Sequence, residues 1–332
     1  MMRHQRTLIT AIALTVSILM VCWLSISLGS RTVGIRDITA AFTTDTQTIT
    51  LSAIRLRVPR TALGLLVGAG LGVAGALLQG MSRNPLADPS ILGLNSGAAF
   101  AIVCAIAFAD LSTPIQYVWV AMAGSALTAL LVWFAASIGR FGPTPMSLTL
   151  AGAVISAMLT SFTSAILLPR VNVINSYRFW QVGGISGARF SLMLPMLPIL
   201  IIGFVLALAS AHSLDALALG DELAAGLGTR VSIARAQAWL AAILLCSSCT
   251  ALAGPIGFVG LVVPHAARLI TGSDYRRIMP ASALIGALLL VFADVVGRVV
   301  TRPADVEVGI VTALIGAPIF VWLTCRRTQT EV

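Results

Sequence analysis

Long apolar runs recur along this chain, separated by short polar stretches rich in proline and glycine. They lie at roughly residues 7–29, 62–81, 91–109, 115–138, 148–169, 190–211, 235–253, 256–271, 281–300 and 308–325. A membrane-crossing helix needs about 20 such residues, so the pattern predicts an all-α integral membrane protein with about ten transmembrane helices, the eighth the shortest. The spans take roughly 200 residues and leave about 130 for loops and tails. That predicts one membrane domain over 1–332, with an outer segment at 29–61 and a polar segment at 212–235. The first run, Thr7 to Leu28, exceeds the core of a secretory signal and reads as a retained span.

The interruptions carry local signals. Pro59 is expected to stop a helix from running into the second span. Within that span Gly64, Gly68 and Gly72, then Gly75, form a smooth strip suited to close helix packing. Asn84-Pro85 and Asp88-Pro89 disfavour helix at the residues before the prolines, which predicts a tight irregular loop; Gly139 to Ser147 is a second turn. Segment 170–189 reads as a surface helix carrying Tyr177, Phe179 and Trp180 at the membrane interface, then a Gly183-Gly184 turn. Gly254-Pro255-Ile256-Gly257 breaks the helices sharply, and such a break is tolerated at membrane depth only where protein or a water-filled cavity covers the backbone.

One stretch looks soluble. In Leu217 to Arg235, Leu219, Leu223, Leu227 and Val231 recur every four residues, while Asp221, Glu222, Thr229, Arg230 and Arg235 face elsewhere on the wheel. The spacing predicts a small amphipathic helix with acids in its first turn, arginines near its end, and a bend at Gly226 and Gly228. Such a helix either touches a partner or lies passively on the bilayer surface.

Composition agrees with the membrane assignment: 58% of residues are hydrophobic, 10% are charged, and the mean hydropathy is +0.98. All 21 basic residues are arginine. Without lysine the chain cannot form a Walker A phosphate loop, a Schiff base or a lysine-linked cofactor, so ATP hydrolysis, if used, belongs to another chain. The net charge of +9 does not argue for nucleic acid, because most arginines lie in loops or at span ends, where lipid headgroups account for them. They divide almost evenly between the two sides, so charge leaves orientation open. Cys22, Cys104, Cys246, Cys249 and Cys325 lie within or at the ends of apolar runs and read as core thiols. Neither a metal site nor a cofactor is expected.

Two ionisable features lie inside the spans. His265 admits a proton-relay role or a satisfied core histidine, and Asp294 and Arg298 can pair at i,i+4 either structurally or facing a partner. An ion-coupled secondary transporter would use such groups, but no acid stands alone deep within a span. A membrane enzyme lacks any nucleophile and base constellation.

The landmarks RVPR at 57–60, GAGLGVAGALLQGMSRNPLADPSILG at 68–93, the 219–235 segment, AGPIGFVGLVVPHAARL at 253–269 and PADVEVGIVTALIGAPIF at 303–320 resemble, in order and spacing, the permease subunits of iron-siderophore, haem and vitamin B12 ABC importers. Two positions depart from that family: Tyr275 stands where histidine is usual and Glu307 where proline is common. The resemblance implies a ten-span permease in the cytoplasmic membrane with both termini inside. It implies a second permease subunit, identical or related, ABC ATPase subunits, a substrate-binding protein and surrounding lipid as partners. Ferric siderophore is the expected cargo, with haem and vitamin B12 as alternatives. The resemblance places 212–235 as the ATPase-coupling segment, with Leu219, Asp221, Glu222, Leu223, Leu227, Gly228 and Arg230; Glu222, Ala224 and Gly228 loosely follow an E-A-A-x-x-x-G pattern. It places Arg57, Arg60 and Arg298 where the binding protein docks, and Asn84 and Leu86 at the inner gate, with the Thr144 to Ser147 turn as a second constriction.

Overall fold

In a computed structural model of the chain, the described residues are 2–28, 49–109, 111, 113–138, 144–301 and 304–328. They form α1 (Met2–Ser27), α2 (Ile49–Ser82), a 3-10 turn (Pro89–Leu92), α3 (Leu94–Ala109), α4 (Pro114–Ser137), α5 (Pro145–Leu167) and α6 (Val171–Gln181). A lead-in of helix Phe190–Met193 and 3-10 turn Leu194–Met196 opens α7 (Leu197–Ala218), followed by α8 (Asp221–Gly226), α9 (Val231–Ala253), α10 (Val259–Thr271), α11 (Tyr275–Val300) and α12 (Val308–Thr328). Among the described residues, six stretches are long and apolar enough to cross a membrane: Ile54–Ser82, Pro114–Ser137, Met146–Leu167, Phe190–Ala218, Val231–Ala253 and Tyr275–Val300. Shorter apolar helical stretches, Ile12–Ser27, Leu94–Ala109, Val259–Thr271 and Val308–Val321, stand beside them. The chain is an all-α, multi-pass membrane protein.

The most enclosed helices are α2 and α9, which pack on each other and share α7 as a neighbour. Along α2 the glycine strip meets α11 and α10: a Cβ on Gly68 would stand 2.3 Å from the carbonyl oxygen of Gly286. Only two glycines permit that approach, because lipid offers no hydrophobic drive between helices and close backbone packing must supply the attraction. Cys246 and Cys249 are buried in α9, with the Cys249 Sγ donating to the Val67 carbonyl at 3.7 Å. The Cys325 side chain lies outside the described residues.

The helix α2 runs through Pro59, contrary to the sequence expectation of a stop there. Proline removes one backbone donor, a loss that a membrane helix tolerates when it is packed inside a bundle. In α10 and α11 the helices likewise run through Pro264 and Pro280. The predicted break after α9 is present: Gly254 caps α9 at φ 70°, and Phe258, at φ 67°, starts α10. The aromatic residues of α6 do not simply line an interface, because Tyr177 is buried and stacks on Trp180 at 6.1 Å.

Candidate coupling end and opposing ion cluster

At one end of the bundle lie the close of α2, α7 and α10, all of α8, and the start of α9 and α11. The helix α8 is shorter than the sequence pattern suggests. Leu219 caps α7, only Asp221–Gly226 are helical, and Val231 already opens α9. Arg230 and Arg235 therefore flank the start of α9 rather than the end of an amphipathic helix, where the dipole would have favoured them. Glycine accounts for the early stop. With Gly228 at φ 85°, Gly228 N–H donates to the Ala225 carbonyl at 2.9 Å and Thr229 N–H to the Ala224 carbonyl at 3.0 Å. This paired closure of a helix C-terminus needs a left-handed residue at that position.

The leucines of this segment face outward. Leu219, Leu223 and Leu227 are 59%, 62% and 67% exposed, while Ala224 is fully buried against the chain. Their surroundings are polar: Glu222 and Arg230 are exposed nearby, and Arg276 on the same end contacts His212 at 3.1 Å. A leucine row among charged groups is a surface with an apolar centre and a polar rim, the composition of a protein interface.

Asp221, in the same segment, is partly exposed and turns to arginines of the chain itself. It accepts both Oδ contacts from Arg235 Nη2 at 2.9 Å and one from Arg83 Nη2 at 3.0 Å. Arg83 follows α2 in a left-handed conformation, φ 50°, beside the sequence-predicted gate residues. Asn84 and Leu86 are exposed in the turn that follows, where Leu86 N–H donates to Asn84 Oδ1 at 3.0 Å and Asn84 N–H to Ser82 Oγ at 3.3 Å. Asp88 closes the turn as cap of the 3-10 segment, accepting from Ser90 N–H at 2.8 Å and from the Ser90 hydroxyl. Burial pushes the Asp88 carboxyl above its ordinary range, and the Ser90 bonds hold it down in part. Thr144 and Ser147 bond each other reciprocally at the start of α5, a capping box. Gln79, Arg268 and Tyr275 are also linked here, with Arg268 Nη1 donating to Gln79 Oε1 at 2.5 Å and Nη2 to the Tyr275 hydroxyl at 3.3 Å.

At the other end, the three arginines expected to form a docking surface lie inside the chain. Arg57, Arg60 and Arg298 are 7%, 9% and 3% exposed. Arg57 donates to the Ile26 and Ser27 carbonyls at the end of α1, at 2.8 and 3.3 Å. Asp294, fully buried, lies between Arg60 and Arg298, each approaching a carboxylate oxygen to 2.8 Å. Arg60 reaches on to Asp305 at 2.9 Å, and Arg298 donates to the Ser25 hydroxyl at 2.7 Å. Buried guanidinium groups need such acceptors to offset desolvation. Asp294 and Arg298 thus do pair within α11, and the sequence offers no spacing that would bring Arg60 to them across two helices.

Arg83, Asp305 and Ser25 were not among the site residues expected from the sequence. Arg83 offered one signal, a lone charge between an apolar span and an Asn-Pro turn. Ser25 offered only a small polar residue near the end of an apolar run. Glu307, the unusual residue, accepts from the Ser186 hydroxyl at 2.7 Å.

Residues 17–326 match the FecCD transport family. The ferric enterobactin transport system permease protein FepD of Escherichia coli is 40% identical over 311 residues, 92% of both chains. The iron(3+)-hydroxamate import system permease protein FhuB of Bacillus subtilis is 40% identical over 329 residues, 98% of this chain and 85% of its own. Among solved structures, an inward-facing metal-chelate type ABC transporter superposes with a TM-score of 0.82 at 26% identity, covering 95% of this chain and 98% of that one.

Proposed function

Because this chain belongs to the FecCD transport family, we propose that it is the membrane-spanning permease of a binding-protein-dependent ABC importer for a ferric siderophore. The relatives FepD and FhuB, permeases of ferric enterobactin and iron(3+)-hydroxamate systems, support an iron chelate as cargo. The carrying observation for an ATPase partner is the exposed row of Leu219, Leu223 and Leu227 on the polar end of the bundle. The chain has no lysine with which to hold ATP itself.

On this reading about ten spans cross the cytoplasmic membrane with both termini inside, and a pair of permease subunits encloses the pathway. The coupling end faces the cytoplasm, and α8 with its flanks receives the ATPase. Leu219, Leu223 and Leu227 provide the apolar contact, Glu222 and Arg230 the charged rim, and Gly228 the closure that sets the shape of the loop. Asn84 and Leu86 form the inner gate together with the Thr144 to Ser147 turn. The opposite end receives the binding protein. There Arg60 and Arg298 share Asp294, and Arg60 also pairs with Asp305. Asp305 is partly exposed, and an incoming carboxylate can replace it on Arg60 through the same two-pronged guanidinium geometry. The permease breaks no bonds. Transport requires partner and cargo to bind the inward and outward states with different affinity.

The test is uptake of radiolabelled ferric catecholate, ferric hydroxamate, haem and cobalamin in a strain lacking this chain, with and without its restored gene. Restored uptake of a ferric siderophore that stops when the ATPase partner is removed is expected. Restoration of cobalamin or haem alone would overturn the cargo, and uptake that persists without the ATPase would overturn the mechanism.

A further inference from the structure

We infer that the Arg83–Asp221 ion pair is the strut through which movement of the ATPase-coupling segment reaches the inner gate. This rests on the coupling and gating roles proposed above. The pair links residues far apart in sequence: Asp221 opens α8, and Arg83 is the last residue before Asn84.

Both ends of the link are built as units. On the coupling side, Asp221 is held through both carboxylate oxygens by Arg235 of α9, so α8 and the root of α9 share one carboxylate. Gly220, at φ 109°, lets the chain turn here, and even a Cβ at that position would lie only 3.7 Å from Arg83 Nη1. On the gate side, the turn bonds to itself. Asn84 N–H meets Ser82 Oγ, Leu86 N–H meets Asn84 Oδ1, and Ala87 N–H meets the Asn84 carbonyl at 3.1 Å. A pull on Arg83 therefore carries Asn84 and Leu86 with it.

Two further observations fit a moving part. Arg83 holds a left-handed backbone that a side-chain-bearing residue seldom adopts, a strain that persists only when surrounding contacts impose it. Beside it lies a cavity of about 360 Å³, lined by Gln79, Arg83, Pro85, Ala218, Arg268 and Tyr275, into which the turn can shift without displacing packed helices. The pair itself is two-fifths exposed on both side chains. Ion pairs so exposed contribute little to stability, so this one can be broken without unfolding the protein.

The experiment uses the complete transporter, permease with its ATPase and binding protein, in liposomes carrying the ferric catecholate or hydroxamate that wild type moves. ATP hydrolysed per chelate transported is the readout. For Arg83→Gln the ratio is expected to rise roughly fivefold or more, the low end of typical coupling between sites, with complex assembly unchanged. Arg83→Lys restores most of the coupling. In a background with native cysteines replaced by alanine, Arg83→Cys with Asp221→Cys is uncoupled, and a short bis-maleimide joining the two thiols recovers transport, because the ends move together. A wild-type ratio in Arg83→Gln, or loss of transport on cross-linking, overturns the strut. Leu223→Asp leaves the ion pair untouched: if it still binds the ATPase, the coupling reading fails and the strut with it, whereas lost binding alongside a normal Arg83→Gln ratio removes the strut alone.

Discussion

Asp294 and Arg60 tie the end of α11 to the beginning of α2 through a contact of 2.8 Å from which water is almost excluded. Asp294 also neutralises Arg298, so one carboxylate serves two buried cations. Removing it by Asp294→Ala leaves Arg60 with Asp305 and Arg298 with neutral acceptors such as Ser25, and breaking comparable buried pairs costs about 3–5 kcal/mol. The expected result is a large fall in the thermal unfolding midpoint of the detergent-solubilised protein, with Asp294→Asn falling less. An unchanged midpoint would show that water or lipid headgroups already screen the cluster.

Charge reversal at Arg57 or Arg60, which the sequence alone suggests as a harmless probe of docking, is unsuitable because both side chains are buried. Asp305 is the better probe. Asp305→Asn frees Arg60 from one competitor, and association with the binding protein should speed up, on the order of a few-fold, with a steeper dependence on salt. Stopped-flow association at two ionic strengths measures this; slower capture would mean that Asp305 itself greets the partner.

Gly68 and Gly286 can be tested by enlarging either one. A methyl at Gly68 would enter the space of the Gly286 carbonyl, and backbone cannot move aside as a flexible side chain can. Gly68→Ala should cost about 1–3 kcal/mol, as overpacking does, seen as a lower yield of monodisperse protein after heating. Gly226→Ala meets no atom within 4 Å and serves as the control.

For the coupling surface, Leu227→Asp changes a side chain that is largely uncovered, so the fold should be retained while ATPase binding weakens at least tenfold, about 1.4 kcal/mol. Ala225→Pro should also release or uncouple the ATPase by disrupting α8. Ala224→Asp, at a fully buried position, should instead damage the permease itself. Co-purification with the ATPase separates the two outcomes.

Asp88 gives a pH prediction. Its carboxyl is raised by burial, so the folded state takes up its proton more readily than the unfolded chain does. The stability it contributes is greatest at low pH and is lost as pH rises through the folded value. Asp88→Asn keeps an acceptor for Ser90 N–H without the charge, so the variant should gain on wild type as pH rises towards neutrality and beyond. Unfolding midpoints measured across an acid-to-neutral series that ran parallel would refute this.

Among the described residues each apolar run falls on a helix, six of them in stretches long and apolar enough to cross a membrane. Helix ends were less legible. Pro59 reads as a stop when considered alone, yet the bundle accepts it; the sixth run was expected to end near residue 211, while α7 continues to Ala218 with Leu214 and Leu217 buried. The exposure of the leucines in 219–227 was legible from their spacing beside charges. The true form of the segment was not, since Gly228 closes α8 early and turns an apparent amphipathic helix into a short outward-facing loop. The Arg60–Asp294–Arg298 cluster depends on which helices become neighbours, information that no local spacing carries.

Leu219, Leu223 and Leu227 have a consequence for the life of the protein before assembly. A newly inserted copy presents these leucines to water, and exposed apolar patches invite aggregation and capture by quality-control proteases. With the ATPase proposed above as the subunit that covers them, the amount of this chain that persists should follow the supply of that subunit, and overproducing the chain alone should yield turnover rather than surplus.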